Sequence, residues 1–412
     1  MSGASEAAPH GAAGVLAGVR VVEVSMWAMV PAAGAILAEW GADVLKVEGP
    51  SGDPVRGLVT AGIKPTGPRY TWEMWNRGKR AVALDLNHPE GRQILHQLVA
   101  EADVFLTSVL PGSRAKLGLD VDTIRSVNPS IIYAAGTGRG PQGPEADRGG
   151  YDSITFWSRG GVAAAVTPPG EDPFGMPAPA FGDALSGMAL AGGIAAALAK
   201  KARTGEGTVV EGALFGTALW AMQMAITGAT AAGLEEMPRV SRTQSFNPLS
   251  NSYPTADGRW VALCMLQPDV YWEPFCRAIE REDLLTDPRF ATTEARAEHI
   301  EECVAELDKV FQSQPLAHWK ERLALQSGAW DVVNKVPDLL EDPQVQANRF
   351  IQRVAYPGDH ELHLVATPIQ FDRTPPVLRP APDFGGDTDA VLEELGWDTE
   401  AVLEARIRGS VV

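Results

Sequence analysis

Short apolar runs alternate along the first half of the chain with longer stretches whose apolar positions recur every three to four residues. VRVVEV (19–24), DVLKVE (43–48), AVALDL (81–86), DVFLTS (103–108) and IIYAA (131–135) are β-branched or continuous apolar runs, as buried strands require. Between them, PAAGAILAEW begins at Pro31 and ends before Gly41, which is the usual asymmetry of a helix with proline in its first turn and glycine past its end. HPEGRQILHQLVAEA (88–102) reads as an amphipathic helix with Pro89 in its first turn. Strand–helix–strand repetition of this kind predicts a parallel sheet, and hence an α/β fold with a Rossmann-like large domain.

Further along, Ala184–Arg203 reads as one helix rich in alanine and glycine, with Lys200, Lys201 and Arg203 at its negative end. Helix-forming residues run from about Gly212 to Met224, and from Gly228 to Ser252 the composition shifts to Gly, Ser, Thr, Asn and Pro. RWVALCML (259–266) predicts a strand after the Asp257-Gly258 turn, followed by helical stretches at VYWEPFCRAI, EARAEHIEECVAELDKVFQ and LAHWKERLAL. The expected organisation is a large domain over 16–225 completed by 338–412, a linker at 226–252, a smaller α+β domain at 253–330 and a second linker at 331–337. The tail, with a last helix near Thr388–Gly396, returns to the large domain or crosses to a partner subunit.

With 412 residues, 45% of them hydrophobic and 21% charged, the chain has the composition of a globular protein with a sizeable core. Its net charge of -17 argues against a nucleic-acid partner, which calls for a basic face. Cys264, Cys276 and Cys303 form neither a disulfide framework nor a zinc pattern and suggest a reducing compartment. Residues 1–15 read as a loose Ala/Gly tail rather than a signal peptide, and the run Ala184–Ala199 is too short to span a bilayer comfortably. Together these predict a cytoplasmic protein that does not associate with a membrane.

Candidate chemistry centres on GGYDSITFWSRGG (149–161), where Asp152 follows two glycines and precedes an apolar run. Locally, Asp152 fits a helix N-cap, a favoured place for aspartate. The G-x-G-x-x-G at Gly138–Gly143 follows a strand, but Pro141 and Pro144 interrupt it where a dinucleotide fingerprint must open into a helix, so it reads as a turn-rich loop leading to Asp152. His360 and His363 sit in a predicted hairpin without a third ligand, and no G-x-S-x-G elbow occurs. Glu294, Glu298, Glu301, Glu302 and Glu306 space out as the solvated face of a helix. Two basic clusters, Asn76-Arg77-Gly78-Lys79-Arg80 before one strand and Arg114 with Lys116 after another, lie in loops at sheet ends and would suit a polyanionic ligand such as a nucleotide.

These pieces, in order, resemble the class III coenzyme A transferases typified by formyl-CoA transferase: GVRVVEVS, GADVLKVEGPSGDPVRG, NRGKRAVALDL, ADVFLTSVLPGSRAKLGLD, NPSIIYAAGTGRGPQGP, RGGYD, GDALSG, KARTGEGTVVEGAL, TPIQF and GGDTDAVLEELG. The resemblance implies an intertwined homodimer, and a CoA site drawing on Asn76, Lys79, Arg80 and Lys116. Arg139, which stands where the family often has an aromatic, is on its own chemistry a candidate for a CoA phosphate or a substrate carboxylate, with an exposed loop arginine as the alternative. It implies Asp152 as the nucleophile, CoA as co-substrate with an acyl-CoA and a carboxylic acid, and neither metal nor tightly bound cofactor. A carboxylate can attack a thioester, so an acyl-aspartyl anhydride and then an aspartyl-CoA thioester are the expected intermediates. The chain departs from the family at Ala28-Met29-Val30-Pro31, at Ser108-Val109-Leu110 and at Arg139, and it lacks a run of four glycines. Those departures count against the formyl/oxalate substrate pair and leave CoA transfer itself in place. An α-methylacyl-CoA racemase shares the implied fold and has Gly182-Asp183 as its second acid, but Tyr151 stands where that chemistry needs a histidine. A CoA-binding protein without catalysis and an NAD-binding oxidoreductase are the remaining alternatives.

Overall fold

The computed structural model describes residues 14–60, 62, 67–168, 170–238 and 240–412; most of the N-terminal stretch read as a tail lies outside them. Six strands form the large sheet: β1 (Arg20–Val24), β2 (Asp43–Glu48), β3 (Arg80–Ala83), β4 (Val104–Thr107), β5 (Ile132–Thr137) and β6 (Val209–Ala213). All neighbours are parallel, in the order β3-β2-β1-β4-β5-β6. The strand order therefore reverses between β1 and β4, which creates a switch point at their carboxyl ends, where ligands of open α/β sheets bind.

Helices cover both faces. They are α1 (Met29–Glu39), α2 (Tyr70–Asn76), α3 (Pro89–Ala100), α4 (Pro111–Leu117), α5 (Val121–Val127), α6 (Val162–Val166), α7 (Phe181–Thr204), α8 (Leu214–Ala221) and α9 (Gln223–Ala232). Adjacent strand residues point to opposite faces, so Val21 joins α1 and α7 in one core while Val22 joins α3, α5 and the C-terminal helices in another. Close α1–α7 packing depends on Gly187, where a Cβ would lie 2.6 Å from Ala32 Cβ and 2.7 Å from the Met29 carbonyl oxygen. At 24 residues, α7 is longer than the apolar run that marks it; its length and composition would allow a bilayer crossing, yet Leu190, Ala191 and Ile194 are buried in the core against α1 and the sheet.

The chain forms two compact units, one running to Glu235 and resuming at Gln344–Val412, the other Glu236–Pro343. In the first, the tail helices Thr388–Glu394 and Thr399–Arg408 bury Val391, Leu392, Val402 and Ala405 on the chain's own sheet, and Val412 N–H donates to the Ala83 carbonyl. The second has an antiparallel sheet of Ser250–Pro254, Trp260–Cys264 and Trp330–Val332 under helices that include Pro268–Ala278 and Leu316–Leu323, with Tyr253, Phe275, Phe311 and Trp319 in its core.

Several expectations change. β6 lies in residues the apolar pattern did not mark as a strand, because it is a half-exposed edge strand paired only with β5. Helix α9 runs on to Ala232, into the stretch read as a linker. The predicted helix at 294–312 breaks at His299 into Thr293–Glu298 and Ile300–Phe311, and the second of these buries Cys303, Val304, Leu307 and Phe311 in the core. His360 and His363 do lie on a hairpin strand, His360–Val365, where residues three apart face opposite sides. Among the described residues no group of histidine, cysteine and carboxylate side chains could hold a metal.

Candidate active site

The loops leaving the carboxyl ends of β1 and β4 meet at the switch point, where Met26 N–H donates to Ser108 Oγ at 2.9 Å. The β1 loop continues through Trp27, whose φ of 71° is a left-handed conformation that costs a non-glycine residue energy and is characteristic of functional sites. Trp27 N–H donates to Asp53 Oδ1 at 3.2 Å, and its ring meets Tyr151 edge-on, with centroids 5.4 Å apart. Tyr151 is 56% exposed, and Asp152 beside it is 5% exposed.

The chain reaches Asp152 through Gly150, which passes so close to Gly138 that a Cβ on Gly138 would lie 2.7 Å from Gly150 Cα. After Asp152 comes a π-helical turn, Ser153–Arg159, a form that is rare and concentrated at functional sites. Asp152 does not cap this turn with its side chain, contrary to the local reading of the sequence. Its Oδ2 instead accepts from Gly182 N–H at 2.8 Å and Asp183 N–H at 3.4 Å, so the carboxylate sits on the positive end of α7, some thirty residues away. Glycine is required at 182 because a Cβ there would lie 2.5 Å from Asp152 Oδ1 and 2.2 Å from Phe156 Cγ. Oδ1 is buried and has no hydrogen-bond partner. Burial pushes the Asp152 carboxyl above its ordinary pKa, against the pull of the two amides. The Asp183 carboxyl is pushed up to about 7, chiefly by burial and then by the charge of Asp152.

An apolar collar surrounds these acids. Phe181 packs against Phe156 and Trp157, with centroids 6.4 Å apart in both cases, and Trp157 Nε1–H donates to the Phe174 carbonyl at 2.7 Å. Tyr151, Ile154, Phe174, Phe181 and Leu185 all keep exposed apolar surface. On the loop side, Glu145 accepts from Arg139 at 2.9 Å, from Arg148 at 2.8 Å and from Arg159, which together hold its carboxyl down at about 2.

The basic residues expected to meet CoA are placed differently from one another. Lys79 is 2% exposed, and Nζ donates to Glu23 Oε2 at 2.8 Å, Pro31 O at 2.9 Å and Asn76 Oδ1 at 3.0 Å. All three of its protons are committed, and burial pulls its ammonium down to about 8. Asn76 is fully buried, with Nδ2 donating to the Trp72 carbonyl. In this structure both side chains are buried and bonded within the protein. Arg80 starts β3 at the amino end of the sheet, where Asp43 holds it bidentately at 2.7 and 3.1 Å and Glu394 at 2.7 Å. Lys116 is exposed on α4, beyond the carboxyl end of β4. The two basic clusters therefore belong to opposite ends of strands and do not converge. Arg139 does border the Asp152 loop, and its Nε donates to the Gly149 carbonyl at 3.4 Å.

Two features carry no reading in the sequence analysis, and a third, Asp183, enters it only as the second acid of a racemase. The buried charges Glu23 and Lys46 sit directly opposite each other on β1 and β2, and Lys46 also contacts Asp53 at 3.0 Å. Both interrupt otherwise apolar strand runs, a legible signal of a paired buried charge. Trp27 carried no signal, because its backbone strain is invisible in sequence.

Residues 16–388 match the family described as CoA-transferase family III, so the chain belongs to that family and is a class III CoA-transferase. It is 35% identical over 391 residues to the (R)-2-hydroxy-4-methylpentanoate CoA-transferase of Clostridioides difficile, covering 94% of this chain and 97% of the relative. It is 31% identical to the cinnamoyl-CoA:phenyllactate CoA-transferase of Clostridium sporogenes, covering 95% of each. Among solved structures, a CAIB/BAIF family protein from Brucella suis superposes with a TM-score of 0.80 at 29% identity, over 92% of this chain and 98% of that one.

Proposed function

We propose that the enzyme moves CoA between an acyl-CoA and a carboxylic acid, with Asp152 as the covalent nucleophile. The supporting observation is the asymmetry of its carboxylate: Oδ2 is held by two amides of α7 and Oδ1 carries no hydrogen bond. Oδ1 adds to the thioester carbonyl, the C–S bond breaks, and CoA leaves as thiolate from an acyl-aspartyl anhydride. The thiolate attacks the aspartyl carbonyl, releasing the first carboxylate and leaving an aspartyl-CoA thioester. The acceptor carboxylate reverses both steps, so the thioester's energy is kept and no ATP is needed. Attack through Oδ1, which is buried, requires a small movement that uncovers it.

The relatives act, by their names, on a branched 2-hydroxy acid and on aryl acids, and acids of these two kinds form the first assay panel. CoA binding is assigned to the carboxyl-end loops with Lys116 and Arg139. The functional unit is read as a cytoplasmic homodimer, in keeping with three free cysteines. Mass spectrometry of the enzyme after exposure to the donor panel is expected to find an adduct on the peptide containing Asp152, absent in Asp152→Ala. CoA exchange that survives in Asp152→Ala would refute the nucleophile.

A further inference from the structure

We propose that Asp183 works as a neutral carboxylic acid whose hydroxyl donates a hydrogen bond to the carbonyl oxygen of the thioester as Asp152 adds to it. The inference rests on the assignment of Asp152 as nucleophile.

The geometry comes first. Gly182 and Asp183 lie in the first turn of α7, and both backbone amides point at Asp152 Oδ2. These amides are spent on the nucleophile, so they are not free to serve the developing oxyanion, which needs its own donor. Asp152 is nearly sealed, whereas Asp183 is only partly buried. Among the described residues, no hydrogen bond or ion pair engages the Asp183 carboxyl. The site thus holds an unengaged carboxyl group one residue past Gly182, on the residue whose backbone amide lies 3.4 Å from the nucleophile's other oxygen, and within reach of its charge.

Charge decides its protonation state. The reaction brings a CoA thiolate and a carboxylate into a site that already holds one anion. Among the described residues no lysine or arginine pairs with either aspartate. On the elements packed against α7 the titratable groups are Glu39 of α1, Tyr133 of β5, Glu211 of β6 and Arg159 of the π-turn, with none on α8. Glu39 is paired with Arg77, Tyr133 donates to the Leu119 carbonyl, and Arg159 is paired with Glu145. Among the described residues, the charge that bears on Asp183 is that of Asp152. A second uncompensated carboxylate would repel every anion in the cycle, whereas a protonated one donates a hydrogen bond and carries no charge. The upward shift of Asp183 to about 7 has the same direction: the acid is neutral below that pH and ionises above it.

The step is balanced without net proton transfer. Oδ1 of Asp152 forms the new C–O bond, the carbonyl π pair moves onto oxygen, and the Asp183 proton bridges to that oxygen without leaving Asp183. Collapse restores the carbonyl and expels the thiolate.

The test compares Asp183→Asn and Asp183→Ala with wild type, following kcat/KM for CoA exchange from pH 5.5 to 9 alongside adduct formation at Asp152 and thermal unfolding. Wild-type activity is expected to fall about tenfold per pH unit above the Asp183 ionisation, as a single essential acid dictates. Asp183→Asn keeps a neutral donor at every pH, so it is expected to lose less than tenfold at pH 6 and to lack the alkaline limb. Asp183→Ala is expected to lose on the order of 10²–10³ in kcat with KM little changed, as for other removed oxyanion donors. The inference is overturned if Asp183→Ala stays within threefold of wild type, if folded Asp183→Asn is as impaired as the alanine variant, or if its alkaline limb persists. Absence of a wild-type adduct at Asp152 would instead refute the nucleophile itself, which keeps the two failures distinct.

Discussion

At the residue scale the site depends on a side chain that is absent. Gly182 lets the start of α7 approach Asp152 closely enough for an amide to hold Oδ2 at 2.8 Å, and its own Cα side faces Oδ1. A methyl group there would lie 2.5 Å from that oxygen and 2.2 Å from the Phe156 ring. Neither contact can be relieved by a flexible chain end, so α7 or the π-turn must shift. Gly182→Ala is expected to cost about 1–3 kcal/mol of stability, the range for overpacking a filled interior. Activity should fall further, at least a hundredfold, since displacements near 1 Å at reacting groups have that effect. Urea unfolding and CoA-exchange kinetics on the same variant check both. Gly187→Ala, also on α7 but against Ala32 and Met29, is the control: a similar loss of stability with a smaller loss of kcat is expected.

Elements show what the sequence made legible and what it did not. Strands β1, β2, β4 and β5 were readable because parallel strands buried on both faces are continuous apolar runs. β6 was not, since an edge strand with exposed Val209 lacks such a run. Asp152 was readable as a residue but its partner was not: capping rules look a few residues along the chain, and the amides that hold it arrive from 182–183. Lys79 shows a feature the sequence pattern does not carry. A lysine in a basic loop suggests an anion site, yet here it enters the core to meet Glu23 beneath α1, where Gly34 makes room for the carboxylate. The Glu23–Lys46–Lys79–Asp53 group binds β1, β2 and the approach to β3 together, and through Asp53 it holds the strained Trp27. Removing one member strands buried charges. Glu23→Gln is therefore expected to cost about 3–5 kcal/mol. Glu101→Gln, which breaks the exposed pair with Arg20, should change stability by no more than about 1 kcal/mol. Chemical denaturation of the two variants compares them directly, and equal midpoints would show that the buried group contributes no more than a surface pair.

For the whole molecule, the distribution of apolar surface bears on assembly. A chain with a net charge of -17 is kept apart from its copies by repulsion unless specific contacts outweigh it. Helices α8 and α9 nevertheless expose Leu219, Trp220, Met224 and Ile226, with Trp220 at 72% and Met224 at 81%. Those side chains sit close together in sequence, at the junction of two helices that follow β6, and a cluster of large apolar groups in water marks an interaction surface. If the functional unit is a homodimer, this junction is a natural place for the second copy, because a self-complementary apolar patch forms an isologous interface. Light scattering is expected to give twice the chain mass for the wild type. Replacing Trp220 and Met224 together by aspartate should shift the protein toward the single-chain mass and lower its unfolding temperature, with the shift reversed as protein concentration rises. A double variant that keeps the wild-type mass across a hundredfold dilution would place the interface elsewhere, and a wild type of single-chain mass would remove the homodimer altogether.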